Sequence, residues 1–213
     1  MKRNPCGILI TFEGSEGCGK TSQSRALAEF LKQQGYDVLW TREPGGTVIG
    51  EQIRAILAKR ENTAMHLRAE ILLFQAARAQ LVEEVIRPHL KRSGIVVCDR
   101  YADSTVAYQG YGYQLIPLEQ VRALVEFATG GLQPHLTLLL DLDVELGLGR
   151  RAREGEVNRL DTYPLDFYQR VRAGYQEMAH QQPERWVIID AALPFEQVQA
   201  KLRRVVLKRL EMA

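Results

Sequence analysis

Eight consecutive residues constrain this chain more than anything else in it. Gly14-Ser15-Glu16-Gly17-Cys18-Gly19-Lys20-Thr21 fits G-x-x-x-x-G-K-[ST], the phosphate-binding P-loop. With glycine at about 7% of residues, a chance match in a chain this long is on the order of one in a hundred. The flanks make chance rarer still. Gly7 to Phe12 reads as a short buried strand, and Ala26, Leu27, Phe30 and Leu31 recur at helical spacing before Gly35. The motif therefore falls in a strand-to-helix turn, where backbone N–H groups wrap phosphates and a helix N-terminus adds fractional positive charge. Lys20 is placed to reach the outer phosphates of a nucleoside triphosphate, and the Thr21 hydroxyl to hold Mg²⁺.

The rest of the chain says what stands around that loop. Its 213 residues suit one α/β domain over 1–213, with 46% hydrophobic and 25% charged residues. Apolar runs at Tyr36 to Trp40, Ile95 to Cys98, Thr137 to Leu142 and Trp186 to Ile189 read as four more strands. Helical stripes separate them: one over Ile49 to Leu57, a longer one from Leu67 closed by Pro88 and Gly94, then Ala102 to Gln109 and Leu118 to Ala128. Others start at Val144 and cover Pro164 to Gln181 and Phe195 to Leu210. Strands without polar alternation, separated by helices, predict a five-stranded parallel sheet covered on both faces, a three-layer P-loop fold. Right-handed crossovers put the ligand at the carboxyl ends of the strands. Glu43, Asp99 and Asp141 all follow strand ends and share that crevice with the P-loop.

Bulk properties exclude several classes. A formal charge of +2 is too small to argue for a nucleic-acid surface. Three cysteines without metal spacing, Cys6, Cys18 and Cys98, point to a reducing cytoplasm and against a disulfide framework. The apolar run after Lys2 and Arg3 is too short for a signal peptide, and no stretch approaches the roughly 20 apolar residues of a membrane span.

Several side chains carry chemistry. Asp99 ends an apolar strand, where a P-loop protein places a carboxylate near Mg²⁺; its plain alternative is a strand-end cap. Arg100 suits bidentate phosphate binding or a buried structural ion pair. The segment 148–161 holds Arg150, Arg151, Arg153 and Arg159 around Gly155, as a lid over the nucleotide or a solvated basic helix end. The lid reading gains from Glu16, because this P-loop carries an acid and no arginine, so catalytic positive charge must come from elsewhere. Phe74 and Arg78 lie four apart on one helical face, able to stack on a nucleobase and reach a base carbonyl; Phe74 alone is more often core. Ser104, Thr105, Tyr108 and Gln109 form a polar strip able to read a base edge. The scattered histidines carry no assigned role.

Thr41-Arg42-Glu43-Pro44-Gly45-Gly46-Thr47, Asp99-Arg100-Tyr101 and Ala107-Tyr108-Gln109-Gly110, joined to the P-loop in this order, resemble bacterial thymidylate kinases over almost the whole chain. The resemblance implies ATP-dependent, Mg²⁺-assisted phosphorylation of dTMP to dTDP on the route to dTTP, by a homodimer. It places Glu43 and Glu16 near the sugar, Glu16 also near Mg²⁺, and Arg54 and Arg100 on the acceptor phosphate. It stacks Phe74 on thymine with Arg78, Thr105 and Gln109 around the base edge, and sets Tyr108 against the 2′ position. The catalytic lid arginine is Arg150, Arg151 or Arg153. His135 stands where the family usually has Asp. Two rivals remain open at this point: a kinase for another nucleoside monophosphate or a deoxynucleoside, and a P-loop switch, although the chain has no Asn-Lys-x-Asp motif.

Overall fold

The computed structural model describes residues 6–153, 159 and 163–211. Five strands, β1 (Ile8–Glu13), β2 (Val38–Arg42), β3 (Ile95–Asp99), β4 (Leu136–Asp141) and β5 (Trp186–Asp190), form one parallel sheet in the order β2-β3-β1-β4-β5. The expected sheet and its strands are present. β1 lies at the centre with β3 and β4 on either side, so the P-loop leaves the sheet where the strand order reverses, the place where such sheets bind ligands.

Both faces are covered, because alternate residues of each strand point to opposite sides. Ile8, Ile10 and Phe12 join Val97, Leu138 and Leu140 under α1 (Lys20–Gln33) and α9 (Phe195–Glu211), through Leu27, Leu31, Leu202 and Val206. On the other side Leu9, Val96 and Cys98 meet Leu81 at the end of α3 (Leu67–Leu81). Leu139 there meets Phe167, Val171 and Tyr175 of α8 (Leu165–Gln181). Each such fully buried aliphatic side chain contributes about 1.5–3 kcal/mol. The same alternation sends the polar residues of β1, Thr11 and Glu13, to the α8 side, where both are fully buried.

Element ends differ from the sequence pattern in three instructive places. Tyr36 donates its backbone N–H to Leu31 and closes the turn after α1, so β2 starts at Val38 and runs to Arg42, which pairs with Asp99. The helix expected to be closed by Pro88 and Gly94 runs past Pro88 and ends before Gly94: α3 passes into a π-helical turn (Val82–Ile86) and then α4 (Arg87–Lys91), which contains Pro88. Proline lacks an N–H and its ring crowds the carbonyl four residues back; the wider turn relieves both demands. A second π-helical stretch (Val106–Gly112) extends α5 (Ala102–Thr105) beyond Gln109. The remaining helices are α2 (Val48–Ala58), capped by the Thr47 hydroxyl on Gly50 N–H at 2.9 Å, α6 (Leu118–Thr129) and α7 (Val144–Arg153). Much of the expected lid, 154–158 and 160–161, lies outside the described residues. His135 accepts the Leu9 N–H on Nδ1 at 3.0 Å and so extends the contact between β1 and β4. Among the described residues no helix is long and apolar enough to cross a membrane.

Candidate active site

The P-loop turns on glycines with φ of 143° at Gly14, 67° at Gly17 and 84° at Gly19, a region that side-chain-bearing residues avoid. Gly17 has a second reason to be glycine. A Cβ there would lie 1.9 Å from the carbonyl oxygen of Gly147 in α7, and a Cβ on Gly147 would lie 2.3 Å from that of Glu16. Two bare backbones thus seat the start of α7 directly on the P-loop. Lys20 extends back along the loop, donating from Nζ to the Ser15 carbonyl at 2.7 Å and to Cys18 Sγ at 3.4 Å. Ser15 and Cys18 are buried.

A cavity of roughly 610 Å³ opens beside this loop and continues across the strand ends. Gly19, Lys20, Thr21 and Arg151 line its P-loop end, the expected donor side; Phe74, Thr105, Gln109 and Tyr113 line the far end, the expected acceptor side. At the donor side Thr21 Oγ1 donates to Asp99 Oδ2 at 2.5 Å. A hydroxyl beside a carboxylate is a hard-oxygen pair that fits Mg²⁺, an ion bound through one or two protein oxygens plus substrate phosphates.

Two carboxylates, half-buried Glu16 and fully buried Glu13, organise the middle. Arg100 Nη2 reaches both oxygens of Glu16 at 2.9 Å, and the Tyr108 hydroxyl donates to Glu16 at 2.8 Å. Burial works against the Glu16 charge, but Arg100, Lys20, Tyr108 and Arg151 outweigh it and hold the carboxyl below the usual range. Arg100 adopts φ 67°, unusual for a non-glycine residue and costing about 1–2 kcal/mol. Its neighbours pin it there. The Arg100 N–H donates to Phe12 and the Tyr101 N–H to Glu13 Oε1 at 2.9 Å. Glu13 Oε2 accepts from Ser104 at 2.6 Å and from Tyr175 at 2.9 Å. Burial, reinforced by the nearby Asp103 charge, pushes the Glu13 carboxyl up to about 7 despite those hydrogen bonds. Ser104, expected on the base, is thus committed to Glu13 and Tyr175, with Arg100 at 3.4 Å.

On the acceptor side Arg78 is buried at 2% exposure and donates to Glu43 from Nε at 2.9 Å and Nη2 at 2.6 Å. Its other donors go to Gln75, Thr105 and the Tyr101 carbonyl. All five guanidinium N–H groups thus have protein partners. Arg78 also lines the cavity, where it was expected to reach a base carbonyl, and in the geometry seen it braces Glu43, Gln75 and Thr105. Thr105 Oγ1 accepts from both Gln75 and Arg78, which leaves its own proton to donate elsewhere. Glu43 Oε1 is buried without a partner beside the cavity. Burial raises the Glu43 carboxyl even though Arg78 opposes the shift. Arg54 lines the cavity and donates to the Pro44 carbonyl at 3.1 Å, while burial and the neighbouring Arg42 lower its pKa. Phe74 is half-buried and faces the cavity.

The lid arginines separate. Arg151 lies four residues after Gly147, on the helix face seated on the P-loop, and lines the cavity. Arg150 donates to the Ala191 carbonyl at 3.1 Å, and Arg153 is exposed at the end of α7. Arg159, expected over ATP, donates to Leu57 O at 3.0 Å and to Glu70 Oε2 at 2.7 Å, on the acceptor side.

Glu13, Glu70 and the aromatic wall of Tyr113, Tyr163 and Phe167 had no expected role. Glu70 was readable, since it lies four residues before Phe74 and eight before Arg78 on the same helical stripe. Glu13 announces itself only as an acid closing an apolar strand. Tyr163 and Phe167, stacked at 4.3 Å between ring centres, reach the cavity from α8 and the residues before it, which no local pattern foretells.

Comparison with known proteins identifies the family. The sequence model of the thymidylate kinase family matches residues 12–202. Thymidylate kinases of Roseiflexus sp. (strain RS-1) and Exiguobacterium sp. (strain ATCC BAA-1283 / AT1b) are 47% and 46% identical to this chain. The alignments cover 93% of both chains in the first case and 96% of both in the second. The crystal structure of thymidylate kinase from Ehrlichia chaffeensis superimposes with a TM-score of 0.76 at 34% identity, over 95% of this chain and 99% of that one. A P-loop seated on α7, the Asp99-Arg100-Tyr101 turn and a shared cavity thus occur in a sequence that matches this family nearly end to end: the chain belongs to the thymidylate kinase family.

Proposed function

We propose that the chain, as a single kinase domain over residues 1–213, transfers the γ-phosphoryl group of ATP to dTMP, yielding dTDP and ADP. The observation that carries this reading is the continuity of one cavity from Lys20 and Thr21 to Phe74, Thr105 and Gln109. Such a cavity brings a donor and an acceptor phosphate into one space, where positioning and fixed charge accelerate phosphoryl transfer. The bond from the γ-phosphorus to the β–γ bridging oxygen breaks as one to a dTMP phosphate oxygen forms.

Roles follow from position. The P-loop from Gly14 to Thr21 wraps the ATP phosphates, and Lys20 moves from the Ser15 carbonyl onto the outer ones. Thr21 and Asp99 would hold Mg²⁺, with Glu16 close by; the ion would neutralise charge on the β- and γ-phosphates. Arg100, braced by Glu16, and Arg54 hold the acceptor phosphate. Phe74 stacks on thymine, Thr105 and Gln109 meet its edge, and Arg78 fixes Glu43 and Thr105 beside it. Tyr108, tied to Glu16, stands against a 2′-hydroxyl. Arg151 brings positive charge to the transferring group. A homodimer in the cytoplasm completes the reading. Exposed Leu72 and Phe127 supply apolar surface for a partner copy, and three free cysteines suit a reducing compartment.

An ADP-release assay across dTMP, dUMP, UMP, CMP, AMP and thymidine tests the assignment. The highest kcat/KM is expected with dTMP; turnover with AMP and none with dTMP would overturn it.

A further inference from the structure

We propose that Glu70 is a specificity-determining positioning residue: it fixes which end of the Gln109 carboxamide faces the cavity and so sets the chain against cytosine nucleotides. The inference rests on the reading of the acceptor side as a pyrimidine site. Glu70 lies on α3, is 2% exposed and lines the cavity together with Gln109. Its Oε2 accepts from Arg159 at 2.7 Å. Its Oε1 accepts from the Tyr113 hydroxyl at 3.2 Å and from Gln109 Nε2 at 3.1 Å.

The chemistry of the pair decides the orientation. A carboxylate paired with an arginine accepts hydrogen bonds and donates none, so the amide must turn its NH₂ end toward Glu70. Among the described residues this is the only hydrogen bond of the Gln109 side chain, whose Oε1 and second N–H are left for the cavity. Four residues earlier, Thr105 keeps a hydroxyl proton to donate, since both its lone pairs are taken by Gln75 and Arg78. An acceptor flanked by donors complements the thymine edge, where N3–H donates and the carbonyl oxygens accept. Cytosine presents an acceptor at N3 and a donor at N4, so the same arrangement sets acceptor against acceptor. A site built to hydrogen-bond one edge rejects the mismatched edge through the unpaired groups it leaves buried. Thymine and uracil share this edge, so Glu70 does not discriminate between them.

The test is Glu70→Gln, which keeps shape and lets residue 109 turn either way, assayed by kcat/KM for dTMP, dUMP and dCMP. The dTMP-to-dCMP ratio is expected to fall about tenfold, the loss on dTMP appearing in KM more than in kcat, while the dTMP-to-dUMP ratio holds. Glu70→Asp, still acceptor-only, is expected to keep most of the selectivity. An unchanged dTMP-to-dCMP ratio in folded Glu70→Gln, or an equal loss in Glu70→Asp, would overturn the proposal. A wild-type enzyme that does not prefer dTMP would instead overturn the pyrimidine-site reading. Should Glu70→Gln not fold, the side-chain amide resonances of Gln109 in the wild-type protein decide: dTMP is expected to shift the second amide proton and dCMP to leave it. Equal response to both nucleotides would count against Glu70.

Discussion

Arg151→Ala is expected to lower kcat by about a thousandfold, with KM for dTMP little changed, whereas Arg150→Ala and Arg153→Ala are each expected to stay within roughly tenfold of wild type. The three arginines fall within four residues of sequence, and composition does not separate them. The seat of α7 does. Gly147 abuts the Glu16 carbonyl so closely that no side chain fits between them, which fixes one face of the helix against the P-loop. One helical turn on, Arg151 occupies that face and lies near enough to lower the Glu16 carboxyl. Arg150 is turned to the Ala191 carbonyl, and Arg153, two residues beyond Arg151, is exposed. The P-loop has no arginine, so charge that builds on the transferring phosphoryl group must be met by Lys20, by Mg²⁺ and by the lid. Groups that act on that charge lower kcat when removed and spare ground-state binding. Lys20→Ala is expected to fall in the same class. Single-turnover kinetics at saturating ATP and dTMP, with melting temperatures to confirm folding, read the effect directly. A thousandfold loss in Arg150→Ala with a near-normal Arg151→Ala would reverse the assignment.

The sequence carried the fold almost completely because its signals are local. Strands that are apolar on both faces, a P-loop between a strand and a helix, and acids at strand ends depend on neighbours a few residues away. The site was legible only in part, because side-chain partnership depends on residues far apart in the chain. Arg78 looked like a base reader from its spacing with Phe74. Only the fold brings Glu43, Gln75, Thr105 and the Tyr101 carbonyl around it and uses up its donors. Arg159 belonged by sequence to an ATP lid, and its place beside Leu57 and Glu70 is set by contacts about 90 residues or more distant. Pro88 did not help close the helix for a different reason: a π-helical turn accommodates a proline that an α-helical turn does not.

Glu13→Gln is expected to remove a pH-dependent loss of stability that the wild-type protein carries between about pH 5 and pH 8. The Glu13 carboxyl moves from 4.5 to about 7 on folding, because it is fully buried beside Asp103. Between those values the folded chain holds a proton that the unfolded chain has released, so stability falls as pH rises. The contribution is whole below 4.5 and gone once pH passes about 7. The gap between the two values corresponds to roughly 3 kcal/mol. Glutamine fills the same space without a charge, with the two hydroxyl contacts reversed in direction. Its oxygen accepts the Tyr101 N–H, and its amide donates to the hydroxyls of Ser104 and Tyr175, which contact Glu13 now. Carboxylates with depressed values, such as Asp141 beside Arg172 and Glu16 beside Arg100, impose the opposite slope, with stability lost as pH falls. They are common to both proteins and cancel in the difference. Urea unfolding of the two proteins at pH 5, 6, 7 and 8 measures that difference. Glu13→Gln is expected to gain on wild type by about 3 kcal/mol across the range, with most of the gain below pH 7. A constant difference at all four values would show that Glu13 is ionised throughout. The turn that holds Arg100 at its positive φ would then rest on a buried carboxylate whose charge is fully compensated by its neighbours.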